Sequence, residues 1–309
     1  MANTQNVTEF IFLGLSSNQL VQKVCFVIFL LLYVAIVLGN FLIVLTVMSS
    51  RSLGSPMYFF LSYLSFVEIC YASTTAPRLI SDLLAERKAI SLRGCMTQIF
   101  FFHLLGVAEI FLLTVMAYDR YVAICKPLHY TAVVSRLVCR RLLAASWLGG
   151  FLHSTVQIVI TVQLPFCGPN VIDHYFCDLH PLFKLACTDT SVEGVVVLAN
   201  SGLISVLSFL LLVSSYVVIL LSLRNHSAEG RRKALSTCAS HLTVVILFFG
   251  PAIFLYMRPA STFTEDKLVA VFYTVVTPML NPIIYTLRNA EMKIAMRRLW
   301  GKKVNSGVE

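Results

Sequence analysis

Seven apolar runs, each long enough to cross a lipid bilayer, leave this chain few ways to fold. About 20 predominantly apolar residues span the hydrocarbon layer as a helix, and runs of that size occupy residues 24–48, 56–80, 95–125, 140–163, 195–223, 234–258 and 267–288. The composition agrees, with 58% apolar and 13% charged residues where a soluble domain has roughly half and a quarter. The first run has no basic segment before it and is about ten residues longer than a signal-peptide core, so it reads as a retained span. No linker, low-complexity tract or repeat divides the chain, and no matched pair of broken helices suggests an inverted-repeat transporter. The expected fold is an all-α membrane protein. One seven-transmembrane helix bundle fills residues 1–309, with an extracellular tail at 1–23 and a cytoplasmic tail at 289–309.

Basic residues favour the cytoplasmic loops, and an outside N-terminus puts sixteen of the 24 lysines and arginines on the inner face. The acids reverse the pattern, with Glu9, Asp82, Glu86, Asp173, Asp178, Asp189, Glu193, Glu265 and Asp266 outside. The net charge of +9 therefore follows from topology and calls for no nucleic-acid partner. Arg297, Arg298, Lys302 and Lys303 fit a short amphipathic C-terminal helix, Ala290 to Gly301, held against anionic membrane lipid.

Cys95, Cys167, Cys177 and Cys187 fall outside, where disulfides persist, and allow three pairings between which spacing does not choose. The sequon Asn6-Val7-Thr8 lies in the outer tail and Asn225-His226-Ser227 in an inner loop, so Asn6 is the expected glycosylation site. No Gly-rich phosphate loop, His-Glu-x-x-His or nucleophile elbow is present, and neither an enzymatic activity nor a cofactor is expected.

The 24 residues from Cys95 to Asp119 rise about 36 Å as a helix, which carries Asp119, Arg120 and Tyr121 to the inner interface. The segment from Met116 to Leu128, reading MAYDRYVAICKPL, resembles the signature of odorant receptors, a branch of the rhodopsin-like G-protein-coupled receptors. Gly39-Asn40, Pro56 to Ser62 (PMYFFLS), Lys233 to His241 (KALSTCASH) and Pro278 to Tyr285 (PMLNPIIY) are similar to that family in order and spacing.

The resemblance implies a plasma-membrane protein of olfactory cilia whose partners are a small-molecule odorant and a stimulatory olfactory G protein that raises cyclic AMP. It implies disulfides Cys95–Cys177 and Cys167–Cys187, and a coupling and switch set of Asp119, Arg120, Tyr121, Tyr216, Phe249, Asn281, Pro282 and Tyr285. Tyr216 and Tyr285 would re-pair with Arg120 on activation. The chain departs from many rhodopsin-like receptors in having Arg231, Arg232 and Lys233, with only Glu229 nearby, where an acid usually holds the arginine. It also has Phe249 two residues before Pro251 in place of a tryptophan.

Two acids, Glu68 and Glu109, lie deep in the membrane, where an unpaired ionised carboxylate costs several kcal/mol. With Asn40 and Asn281 they would line a polar core. Either sodium or water fills it, or one or both glutamates are protonated; an ion path through them is the rival transporter or channel reading. An odorant cleft should be mostly apolar with a few orienting polar groups. Family geometry assigns it Phe102, His103, Gly106 and Val107, then Asn200, Ser201 and Ile204, then Ala252, Ile253 and Tyr256, then Val271 and Thr274. His103 would hydrogen-bond the ligand, and no second histidine or cysteine accompanies it at metal-ligand spacing. The seventh span has no lysine for retinal, and Phe102 stands where an amine receptor has an acid. The ligand is therefore expected to be small and neutral, although Arg258 at the outer end of the sixth span leaves room for an acid.

Overall fold

The computed structural model describes residues 7–223, 227–256 and 264–300. Asn6, Arg258, Lys302 and Lys303 lie outside them, as do the side chains of Lys233, Ala252, Ile253, Tyr256 and Glu265. Helices α1 (Gln19–Ser49), α2 (Pro56–Asp82), α3 (Leu92–Cys125), α5 (Arg136–Val162), α7 (Ser191–Ser222) and α8 (Ala228–Tyr256) supply six spans. The seventh is built from α9 (Thr264–Val271), a wide π turn at Phe272–Val276, and α10 (Thr277–Arg288). Short helices α4 (Tyr130–Val133) and α6 (Leu179–Phe183) sit in the loops, and α11 (Ala290–Trp300) follows the last span.

Local chemistry sets the boundaries. The Asn18 side chain accepts from the N–H groups of Leu20 and Val21 at 2.9 and 3.3 Å, Ser91 from Gly94 at 3.1 Å and Ser135 from Val138 at 3.4 Å. Each closes donors that a helix start leaves open. Pro56 occupies the first turn of α2, where its missing N–H does no harm. These caps begin most helices a few residues ahead of the apolar runs, for example at Leu92 rather than Cys95.

Five of the spans are long and apolar enough to cross a membrane on composition alone, while α2 and α8 are not among them. For α2 the reason is the polar load it carries inward, with Ser65, Glu68 and Thr75 buried. Leucines and valines of α1 and α7 such as Leu31, Leu203 and Leu211 face outward, the arrangement a hydrocarbon solvent demands.

Helix α3 is the axis. In its apolar window 67% of residues are buried, against 22% in α1 and in α7, and it packs against α2, α5, α7 and α8. Small residues allow the closest approaches. A Cβ added at Gly150 of α5 would lie 2.5 Å from the Leu104 carbonyl oxygen of α3, and one at Gly39 of α1 would lie 3.1 Å from Pro282 of α10. The single apolar run 267–288 is interrupted by the π turn because Pro278 offers no N–H, and the Thr277 hydroxyl instead bonds the carbonyls of Phe272 at 3.1 Å and Leu247 at 3.3 Å.

A small sheet closes the outer end. Strand β1 (Glu9–Phe12) pairs antiparallel with β2 (Ala89–Ser91) and parallel with β3 (Val171–Ile172), giving the order β2-β1-β3. Phe10 and Phe12 pack beneath it with Ile99, Leu164, Ile172 and Leu182. The long loop before α7 is stapled to the top of α3 by Cys95–Cys177 and closed on itself by Cys167–Cys187. Gln98 reinforces the first staple by accepting from the Cys177 N–H at 2.9 Å and donating to the Thr74 carbonyl at 2.8 Å. Lys267 donates to Asp173 at 2.5 Å and to the Gly14 carbonyl at 3.0 Å, pinning the loop and tail to α9. At the other end, α11 buries Met292 and Ala295 and leaves Lys293, Arg297 and Arg298 exposed, which suits an anionic lipid surface.

Two outcomes follow. Gly150→Ala drives a methyl group into backbone that cannot swing aside, so it should lower stability by about 1–3 kcal/mol; a thermal midpoint equal to wild type would contradict this packing. His174 of the outer loop packs against Tyr175 and Phe176, and burial pushes its imidazole down to about 4. Between that value and about 6.5 only the unfolded chain takes the proton. Its contribution is thus complete above about pH 6.5 and is lost as pH falls toward 4. Unfolding midpoints between pH 7 and 5 should fall more steeply in wild type than in His174→Phe.

Candidate functional site

Beneath the stapled loop, α2, α3, α5, α7, α8 and the π turn line a cavity with about 90 Å³ open to the centre of a water molecule. A single water needs roughly 10–15 Å³ of such space, so the cavity is larger than one water requires. Its walls differ in character. Tyr71, Phe102, Val107, Ile110, Val197, Ile204, Phe248 and Tyr273 make an aromatic and aliphatic lining, while His103, His153, Ser201 and Ser205 gather at the junction of α3, α5 and α7. Asp178, Leu179 and His180 close the top. Stacking holds the lining in place, with the Phe102 ring 5.1 Å from both Tyr71 and Phe176.

Phe102, His103, Gly106 and Val107 of α3 and Ser201 and Ile204 of α7 all line this cavity. Asn200, Val271 and Thr274 do not. Asn200 is one helical step from Ser201 and turns toward His153 behind the wall. The π turn inserts an extra residue, which rotates the following helix face by about 100°, so Tyr273 faces the cavity instead of Val271. The Thr274 hydroxyl, 3.0 Å from the Tyr175 hydroxyl, ties the span to the outer loop. His153 was not legible as a neighbour of His103. The two rings are 5.5 Å apart, yet the residues lie fifty positions apart on different helices. Asp178 and His180 were missed because no periodicity marks a loop residue that folds over a bundle.

Midway down the bundle, Asn281 donates to Glu68 across α10 and α2, and Glu109 of α3 faces Glu68. Asn40 donates to the carbonyls of Ile36 at 3.1 Å and Pro278 at 3.2 Å, a reach that the close approach at Gly39 permits. Of the four residues expected to line a polar core, Glu68, Glu109 and Asn281 meet one another, while Asn40 bonds the backbone of the last span. Asn40 Oδ1 and Asn281 Oδ1 accept no hydrogen bond, and Glu68 Oε2 and both Glu109 oxygens take none from an amide or hydroxyl, the two carboxyls lying within reach of each other. Among the described residues no group of three or more His, Cys, Asp or Glu side chains forms a metal site.

At the inner end, Arg120 pairs with its neighbour Asp119 through Nε at 3.0 Å and also through Nη2. Tyr130 of α4 donates to Asp119 Oδ1 at 2.7 Å. Burial pushes the Tyr130 phenol up, with the Asp119 charge adding to it, so Tyr130 keeps its proton and remains the donor. The Tyr216 hydroxyl is held by His241 Nδ1 of α8, and the buried Tyr285 hydroxyl has no partner. The Tyr121 ring carries the Lys126 ammonium at 5.7 Å. Glu229, Arg231 and Arg232 are exposed. Phe249 is buried between Phe248 and Phe209, with ring centroids 5.4 and 5.9 Å away, directly behind the cavity lining.

A family profile described as "Olfactory receptor" matches residues 29–303. Human olfactory receptor 4B1 is 75% identical over 309 residues, covering all of both chains. Mouse olfactory receptor 4B13 is 70% identical over 98% of this chain and 99% of its own. Human olfactory receptor 4S2 is 64% identical over 98% of each. With its motifs, its bundle and these full-length relatives in agreement, the chain belongs to the olfactory receptor family.

Proposed function

We propose that this receptor binds a small neutral odorant in the outer cavity and, in response, activates a stimulatory heterotrimeric G protein at its inner face, raising cyclic AMP. Membership of the family makes the chain a multi-pass protein of the plasma membrane and not an enzyme; olfactory cilia are its proposed site of action. The observation that carries the reading is that one helix, α3, bears both the cavity residue Phe102 and the Asp119–Arg120 pair. They are separated by eighteen residues, or about 27 Å.

A ligand shifts a receptor only if it binds one state better than the other. Phe248 touches the cavity and Phe249 packs behind it, so ligand contact bears on α8 just to the inner side of its Pro251 hinge. Outward movement of α8 would pull His241 from Tyr216, freeing the Tyr216 hydroxyl, together with that of Tyr285, for Arg120. Tyr121, beside that pair, would face the G protein. In mid-bundle, Asn281 and Pro282 connect this motion to Glu68. The oxygen-rich set around Glu68 and Glu109 suits a hard cation such as sodium, or protons on the carboxyls, and either occupant would be lost as the core closes.

Cells expressing the chain with a stimulatory olfactory G protein should give odorant-dependent cyclic AMP. Arg120→Ala should abolish the response without loss of surface labelling, and Phe102→Asp should abolish it through the cavity. Ion currents that need Glu68 but survive Arg120→Ala would instead establish a channel.

A further inference from the structure

One wall of the cavity carries hydrogen-bonding groups that nothing in the protein satisfies. His103 and His153 are 8% and 4% exposed, both line the cavity, and their rings face each other at 5.5 Å between centroids. His103 Nε2 has no partner, and His153, whose Nε2 lies 3.5 Å from Gln157 Nε2 and which has Asn200 nearby, makes no well-formed bond through Nδ1. Below them Ser201 Oγ accepts from Gln157 at 3.1 Å, which leaves its own proton to give. An unmade bond on a buried polar group is unfavourable, and both nitrogens belong to buried side chains. The opposite wall, from Tyr71 and Phe102 to Phe248 and Tyr273, is apolar or aromatic. The cavity is therefore amphiphilic, with an apolar body, the polar group of His103, His153 and Ser201 on one side, and Asp178 and His180 at its top.

From this geometry we infer that the ligand class is a neutral hydroxyl-bearing molecule, an alcohol or a phenol, with its oxygen set between His103, His153 and Ser201. The inference rests on the cavity being the odorant site. A neutral imidazole has one N–H and one lone pair. A hydroxyl can donate to the lone pair of one ring and accept from the N–H of the other or from Ser201, so a single oxygen satisfies both orphan nitrogens. With the lone pair of one ring turned into the cavity, an ether, ester or ketone, which only accepts, leaves that nitrogen unpaired; a hydrocarbon leaves both. A carboxylate would bring a second negative charge to a cavity whose upper wall already holds Asp178 and would have no proton for a ring lone pair. Specificity of this kind is steep, because a site built to bond a hydroxyl is penalised by an analogue that lacks it.

The test uses the full-length receptor and two readouts. Cyclic AMP is measured in cells, and ligand-induced thermal stabilisation is measured on purified receptor, which needs no G protein. The probes are benzyl alcohol, benzyl methyl ether, ethylbenzene and phenylacetate, alongside the linear alcohols from butanol to octanol and their methyl ethers. In wild type the alcohols should stabilise the receptor at concentrations about tenfold or more below their ethers, and hydrocarbons and carboxylates should be weaker still. In His103→Phe and in His153→Leu the alcohol should lose that advantage while the ether is little changed. Equal stabilisation by alcohol and ether in wild type, or stronger stabilisation by phenylacetate, overturns the proposal. So does an alcohol preference that survives both histidine variants. Stabilisation by alcohols with no cyclic AMP would uphold the hydroxyl site and refute the signalling reading, so the two fail separately.

Discussion

Hydrocarbon offers no partner to a hydrogen-bonding group, and the bundle is arranged around that fact. Every polar side chain within a span must find its partner on another span or on its own helix, and most do so on or beside α3. Ser154 of α5 donates to the Phe100 carbonyl of α3 at 2.6 Å, Gln157 reaches Ser201 on α7, and Asn281 reaches Glu68. Hydroxyls left over bond back to their own helix, as Thr46 does to Leu42 at 2.6 Å and Thr114 to Ile110 at 2.9 Å. Among the described residues, polar groups for which neither solution exists gather in the outer cavity at His103 and His153 and in mid-bundle at Glu68, Glu109 and Asn281, with others at Thr75, His241 and Tyr285.

How much of this could be read beforehand follows from which interactions are periodic. The apolar runs mark the spans because lipid imposes the same requirement on each of them. The third-span residues Phe102, His103, Gly106 and Val107 share a face by helical spacing alone, and they do meet the cavity. The seventh span defeats the same logic, since a π turn at Phe272–Val276 is a response to Pro278 and to the Thr277 hydroxyl, and regular spacing cannot register an added residue. His153 and the loop residues Asp178 and His180 are tertiary neighbours of the cavity with no sequence signature of their own. The sheet at the outer mouth was equally invisible, because Glu9–Phe12 is too short a strand to show alternation.

The disulfide and the aromatic ladder at the outer end answer a different need. The loop that covers the cavity has little regular structure, so its position depends on anchors: Cys177 to α3, Tyr175 to Thr274, and Asp173 to Lys267. Phe176 then stacks on Phe102, which makes the loop part of the cavity wall rather than a cover laid over it. Shape at the binding end is therefore coupled to the seventh span through Tyr175 and to the third through Cys177, two helices that also carry the polar core below.

The strand Glu9–Phe12 has a consequence for biosynthesis. It precedes the spans in order of synthesis, yet one of its partners, Val171–Ile172, is made only after four of them have been threaded. Until then Phe10 and Phe12, which end fully buried, are apolar side chains on an unpaired strand in the lumen. Contacts between segments so distant in the chain form late and leave aggregation-prone edges exposed in the meantime. Maturation of this protein thus has a built-in waiting period ahead of its first span, during which a lumenal chaperone has most to contribute.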